Sequence, residues 1–251
     1  MLPTPSTSHV NFDQVYEPAE DSYLLLDTLS SASETAFLTE RFGATQPSPL
    51  VVEVGIGSGV VLAFVTANSS TIFGRKDVLT LGTDLNSFAC RAAKTTVENA
   101  TKEAGRIAGT LSDTVIADLT FPIRVNSVDI LIFNPPYVPT EQLPDLTEHE
   151  AYNEKVIAGS RAFERDSHLL ALSYAGGKDG METTNRLLEQ LPEILHPDRG
   201  VAYILLCAQN MPIDVRERIQ RWQDAWNAEL ISNSGKKGGW EKLQILRIWR
   251  G

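Results

Sequence analysis

The sequence predicts an α/β fold: a seven-stranded, mostly parallel sheet with one antiparallel strand and helices on both faces. Three observations predict it. Apolar runs and amphipathic stretches alternate five times, which demands parallel strands joined by right-handed crossovers. The runs Leu50–Val54, Val128–Phe133 and Val201–Cys207 are apolar on both faces, as strands covered by helix on either side must be. Two extended segments, Ala228–Ser232 and Leu243–Trp249, close the chain without a helix between them and permit one antiparallel strand at an edge.

Taken in order, residues 1–14 read as a flexible tail and 15–251 as a single domain, a size that one core can serve. Pro18-Ala19-Glu20-Asp21 opens a helix, because proline and acids favour the first turn. Leu24, Leu25, Leu26 and Leu29 give that helix a buried stripe. Pro47 and Pro49 close a polar linker ahead of the first strand, Leu50–Val54. A helix follows from Val60 to Asn68, then the strand Val78–Thr83 and a helix over Phe88–Glu103. A weaker strand, Asp113–Ala117, precedes the strong one at Val128–Phe133. A long polar loop is predicted over 138–180, then a helix over Glu182–Leu195 and the strand Val201–Cys207. A helix with Arg216, Arg218 and Arg221 on its wet face leads to the last two segments, which Gly235-Lys-Lys-Gly-Gly239 separates.

Composition narrows the function. Hydrophobic residues make up 42% and charged residues 22%, so a core forms without metal or disulfide staples. The longest apolar run, Val201–Ala208, is far too short to span a bilayer as a helix. Pro3, Thr4 and Pro5 stand where a signal peptide would carry charge and an apolar stretch, so a cytosolic or nuclear address is expected. Cys90 and Cys207 read as small buried hydrophobes. With His9, His149, His168 and His196 they form no ligand spacing, and no metal site is expected. A net charge of −10 makes the chain a poor unaided binder of nucleic acid, and leaves it able to meet a basic protein.

The turn after the first strand, Glu53-Val-Gly55-Ile-Gly57-Ser-Gly59, lets a ligand approach the backbone. A dinucleotide fingerprint would put its last small residue at Val60, which is too large. Glu53 discriminates further: a carboxylate repels a pyrophosphate and attracts a sulfonium and an α-amino group. The pattern therefore points to S-adenosylmethionine, with Gly55 and Gly57 against it. Asp84, at the end of the second strand, is placed to accept both ribose hydroxyls. Asp118 ends the third strand and can accept from the adenine amino group, while Leu119 walls the ring.

Asn134-Pro135-Pro136-Tyr137 ends the fourth strand. Two prolines hold the backbone extended and free its carbonyls from internal pairing. The Asn134 side chain and the Pro135 main chain are two acceptors that suit an NH₂ group, and Tyr137 can stack on the planar system that carries it. A delocalised nitrogen is a weak nucleophile. Holding both N–H bonds turns its lone pair toward the methyl and places acceptors where positive charge develops, so no general base is required for transfer.

Val15–Ser22, Glu53–Gly59, Asp84, Asp118-Leu119, Asn134–Tyr137 and Ala175–Gly180 together resemble the HemK-like glutamine methyltransferases, within the amino-methyltransferases that share the Asn-Pro-Pro-Tyr turn. The Tyr16-Glu-Pro-Ala-Glu-Asp21 block is similar to the eukaryotic branch that methylates the Gly-Gly-Gln loop of the class 1 translation release factor. The resemblance implies a Rossmann-like class I S-adenosylmethionine-dependent methyltransferase. It implies that Ser22 reaches the methionine end of the cofactor, that Glu53, Gly55, Asp84, Asp118 and Leu119 bind the rest, and that Asn134 contacts both cofactor and glutamine, with Pro135, Pro136 and Tyr137 completing the substrate pocket. It also implies a small zinc-binding activator subunit, forming a heterodimer in which the sheet is extended at the strand-three edge, here Asp113–Ala117.

The segment Val138–Tyr174 is longer than this branch leads one to expect. It carries Glu141, Asp145, Glu148, Glu150 and Glu154, an acidic set suited to basic residues around the release factor's glutamine loop. The same turn in other enzymes serves N6-adenine methylation of DNA or RNA, and protein-lysine methylation is a further alternative. The acidic charge opposes the first, and a lysine amine gains little from two acceptors and a stacking ring.

Overall fold

The computed structural model describes residues 2–147, 149–153, 160–235 and 242–250. Glu148, Glu154 and residues 236–239 of the glycine-lysine turn lie outside the described residues. Helices α1 (Glu20–Leu29) and α2 (Ala32–Phe42) precede β1 (Leu50–Val54). Helix α3 (Val60–Ala67) and the single turn α4 (Ser69–Ile72) lead to β2 (Leu79–Asp84), and α5 (Ser87–Ala104) leads to β3 (Thr110–Ile116). After β4 (Ile130–Phe133) come α6 (His149–Tyr152), α7 (Ser160–Tyr174) and α8 (Glu182–Ile194), then β5 (Val201–Leu206), α9 (Pro212–Gln220), β6 (Trp226–Asn233) and β7 (Gln244–Arg250).

The seven strands lie in the order β3-β2-β1-β4-β5-β7-β6. Strands β1 to β5 are parallel neighbours, and β7 runs antiparallel to both β5 and β6. The antiparallel strand is therefore not at the edge, where the sequence reading put it. Ile245, Leu246 and Ile248 of β7 are fully buried, so β7 belongs inside the sheet and the more polar β6 takes the rim. Alternate residues feed two cores. Val51, Ile130, Ile132, Tyr203 and Leu205 meet α1, α2 and α3 on one face. Val52, Leu131, Phe133, Ile204 and Leu206 meet α8 and α9 on the other.

Three helices, α2, α6 and α7, occupy segments that the sequence presents as linker or loop. Helix α2 starts where the Ser31 side chain accepts from Glu34 N. Its Glu34 is buried and accepts from the Tyr203 hydroxyl at 2.8 Å and from Arg247 Nη1 at 2.8 Å, so its charge is paired across the sheet. The predicted 138–180 loop contains α7, fifteen residues long, and the shorter α6. The polar faces of these helices hid them: in α7 only one side, with Leu169 and Leu172, turns inward. Residues near the N-terminus also make contacts. Val10 and Val15 pack on Ala89, and Asn86 Nδ2 donates to Gln14 O at 2.6 Å.

Candidate active site

Strands β1, β2 and β4 end level with one another, Val54 standing beside Thr83 on one side and Phe133 on the other. The chemistry-bearing residues lie at or just beyond those ends. Ser22, Glu53, Gly55, Gly57, Asp84, Asn134, Pro135 and Pro136 line one cavity of about 760 Å³, its open mouth included. Asp118 and Leu119 line a second of about 630 Å³, which shares Gly55, Asp84, Pro136 and Leu172 with the first. The two form one continuous cleft across the sheet edge, where ligands of open α/β sheets bind.

The glycine turn makes the floor. Gly59 stands at φ +78, and a Cβ there would lie 2.5 Å from Ala93 Cα, so this glycine serves the close packing of α3 on α5. Gly57 N donates to Asp84 Oδ2 at 2.9 Å, and Asn86 N donates to Asp84 Oδ1 at 2.8 Å. Each Asp84 oxygen keeps lone pairs for a further donor. Burial raises the Asp84 pKa, and the Asn86 and Gly57 N–H groups and the nearby His149 hold it back.

Glu53 is 3% exposed, and its Oε2 has no partner among the described residues. Burial drives its pKa well above the ordinary carboxylate range. The Leu62 N–H in the first turn of α3 opposes that shift, and neighbouring Asp84 adds to it. Asn134 Oδ1 is likewise buried without a partner. Buried acceptors left open are rare in folded proteins and cost about 1–3 kcal/mol each. Two of them facing one cleft fit a ligand carrying N–H groups and positive charge. Donors for an α-carboxylate are the backbone N–H groups of the glycine turn, and Ser22, whose hydroxyl donates to Asp21 Oδ1 at 3.2 Å, lies beside them on the cavity. Among the described residues no lysine, arginine or histidine lines the first cavity.

Two predicted residues make contacts that the sequence does not show. Asp118 gives Oδ2 to Arg186, and its Oδ1 is buried with no partner among the described residues. Tyr137 lines neither cavity. Its ring packs against the first core, and its hydroxyl lies 3.4 Å from Asp21 Oδ2, donating to it. The Asn-Pro-Pro-Tyr turn is locked from below. Asn210 Nδ2 donates to Tyr137 O at 3.1 Å, and Gly180, at φ +68, lies so close to that carbonyl that a Cβ would collide with it.

Sequence reasoning missed several lining residues. Asp21, 3% exposed, reads as an ordinary acid in a first helical turn, yet it lines the first cavity. Leu172 and Ser173 come from α7, and Leu143, Pro144 and Leu146 wall the second cavity. Helix α6 pins this segment over β2: His149 Nε2 donates to Leu85 O at 2.6 Å, and Asn153 Oδ1 accepts from Ser87 N at 2.7 Å. The one signal in the sequence was the run of apolar residues in an otherwise polar stretch.

No protein-family model matches the chain. It is 36% identical to the eRF1 methyltransferase catalytic subunit mtq2 of Schizosaccharomyces pombe, over 100% of this chain and 96% of that protein. It is 33% identical to the methyltransferase HEMK2 of Mus musculus, over 98% of this chain and 96% of that protein. An rRNA methylase from Streptococcus thermophilus aligns over 87% of this chain and 94% of its own with a TM-score of 0.43 at 12% identity, too remote to bear on function.

Proposed function

The chain belongs to the HemK-like glutamine methyltransferase family, and from that premise we propose that it transfers a methyl group to the side-chain amide nitrogen (N5) of the glutamine in the Gly-Gly-Gln loop of the eukaryotic class 1 translation release factor. S-adenosylmethionine is the methyl donor and supplies an electrophilic carbon on a sulfonium. The observation that carries the reading is the pair of buried open acceptors, Glu53 Oε2 and Asn134 Oδ1, on a single cleft.

Each residue then has a task. Glu53 holds the α-amino group, Ser22 the methionine carboxylate, Asp84 the ribose, and Asp118 with Leu119 the adenine. Asn134 Oδ1 and the Pro135 carbonyl accept the two amide N–H bonds, which fixes the lone pair in line with the methyl. As N–CH₃ forms and C–S breaks, the nitrogen gains positive charge. The acceptors that hold its hydrogens are already in place to stabilise that charge. One proton then leaves for water, and the products are the N-methylamide and a neutral thioether.

The partner belongs to the same proposal. Strand β3 is the rim of the sheet, with Ile116 at 55% and Phe121 at 88% exposure beside it. A small zinc-binding activator that adds a strand there would cover both the unpaired backbone and these side chains. Ile116→Asp with Phe121→Asp should abolish co-purification with such a subunit. With a translation factor as substrate, the address proposed is cytoplasmic, with the nucleus as the alternative.

The test is transfer of labelled methyl, by the chain co-expressed with the activator, to the release factor and to a version with its loop glutamine changed to alanine. Label on the first alone is the expected result. Label on both, or on neither with the cofactor bound, overturns the acceptor assignment.

A further inference from the structure

We propose that Asp21 is the counter-charge through which the cleft distinguishes the methyl donor from the spent cofactor, S-adenosylhomocysteine. The inference rests on the methyl-transfer reading of the cleft, and not on the identity of the acceptor.

Asp21 is 3% exposed and makes no ion pair among the described residues. A buried carboxylate without a cation is costly and is normally neutralised or paired. What holds Asp21 is neutral. Oδ1 accepts from Ser22 N at 2.6 Å and from Ser22 Oγ at 3.2 Å, and Oδ2 accepts from the Tyr137 hydroxyl at 3.4 Å. These bonds fix where the carboxylate stands and leave its charge unanswered.

The lining of the two cavities shows which end of the cleft it serves. Asp21 lines the first cavity together with Glu53, Asn134 and Pro135 and does not line the second, which Asp118 and Leu119 line, so it stands on the methionine side of the cleft. Asp84, by contrast, is committed to the glycine turn at the ribose end. With Glu53 and Asp84, Asp21 makes three carboxyl groups on a cavity that no lysine, arginine or histidine lines among the described residues. A second observation points to a cationic ligand: Glu53 lines the same cavity at 3% exposure, and its Oε2 has no partner among the described residues.

The two forms of the cofactor differ here. Both carry an α-ammonium and a carboxylate, and only the donor carries a sulfonium. A carboxylate held on the methionine side therefore attracts the donor's sulfonium and has no such cation to attract in the product. The transfer step itself removes the charge that Asp21 holds, which favours exchange of product for fresh donor.

The test measures binding, with no acceptor present. Affinities of wild type and Asp21→Asn are compared for S-adenosylmethionine, for S-adenosylhomocysteine and for sinefungin, whose protonated amine stands in the sulfonium's place. The substitution should weaken both cationic ligands about tenfold, equivalent to ~1.4 kcal/mol, and the neutral thioether less than about twofold. Equal loss for all three ligands, or no change for any, overturns the proposal. Should Asp21→Asn fail to bind even the thioether, Asp21→Glu decides: it keeps the charge and must keep the donor-over-product ratio within about threefold of wild type, and its loss overturns the proposal.

Discussion

At the scale of single residues, the cleft is built from groups that would be more stable elsewhere. Glu53 is the clearest case. Its folded-state pKa is raised by burial, so it binds a proton more tightly folded than unfolded. Its contribution to stability is therefore fully present below the ordinary carboxylate range and is lost as pH rises toward the raised value. Asp84 is shifted in the same direction. Glu53→Gln removes the ionising group and keeps its shape, so the ligand-free variant should melt a few degrees above wild type at about pH 8, with the gap closing toward about pH 4. The same variant should lose most cofactor affinity. Thermal melts with and without S-adenosylmethionine across pH check both parts, and a variant no more stable than wild type at high pH would contradict the account. A cationic ligand answering Glu53 should also displace its proton, so binding enthalpy should depend on the buffer.

At the scale of elements, the 138–180 segment carries the main departure from expectation. An acidic surface for a basic substrate was the sequence reading, and Glu141, Asp145 and Glu150 are indeed exposed. The inward side of the same segment walls the cofactor cleft with Leu143, Pro144, Leu146 and Leu172. The bonds from His149 to Leu85 and from Asn153 to Ser87 hold it there. Removing one of them by His149→Ala should speed release of S-adenosylhomocysteine about fivefold or more, given the typical worth of such a bond, and leave KM for the protein acceptor near wild type. Glu150→Lys should do the reverse, raising KM for a basic acceptor with little effect on cofactor release. Stopped-flow release and initial-rate measurements separate the two. Gly180→Ala reports on the floor of the turn. A Cβ beside the Tyr137 carbonyl cannot be placed without moving it, and the φ of +68 adds strain, so a loss of about 2–4 kcal/mol is expected on chemical denaturation.

At the scale of the whole molecule, the sheet explains why so much could be read in advance. Glu53 and Asn134 mark the ends of strands that sit inside the sheet, Asp84 ends the strand beside β1, and parallel pairing brings the three ends level. The glycine spacing and the double proline then say which ends carry chemistry. What escaped reading depended on contacts distant in sequence. Helix α2 is stabilised by Glu34 paired with Arg247 on β7, and β7 is drawn inside the sheet by what covers both its faces. Asp21 became recognisable as a lining residue only once Tyr137 was seen to turn back toward it.

The measurement that bears most directly on the central claim is made on Asn134→Ala, with cofactor affinity and single-turnover methyl transfer to the release factor followed on the same preparation. Asn134 Oδ1 is an open acceptor in the ground state and is assigned to a charge that exists fully only during transfer. The account predicts a cofactor Kd within about tenfold of wild type and a transfer rate lower by about 10²–10³-fold, the usual effect of removing one preorganised electrostatic partner. A variant that transfers methyl groups at close to the wild-type rate would contradict it.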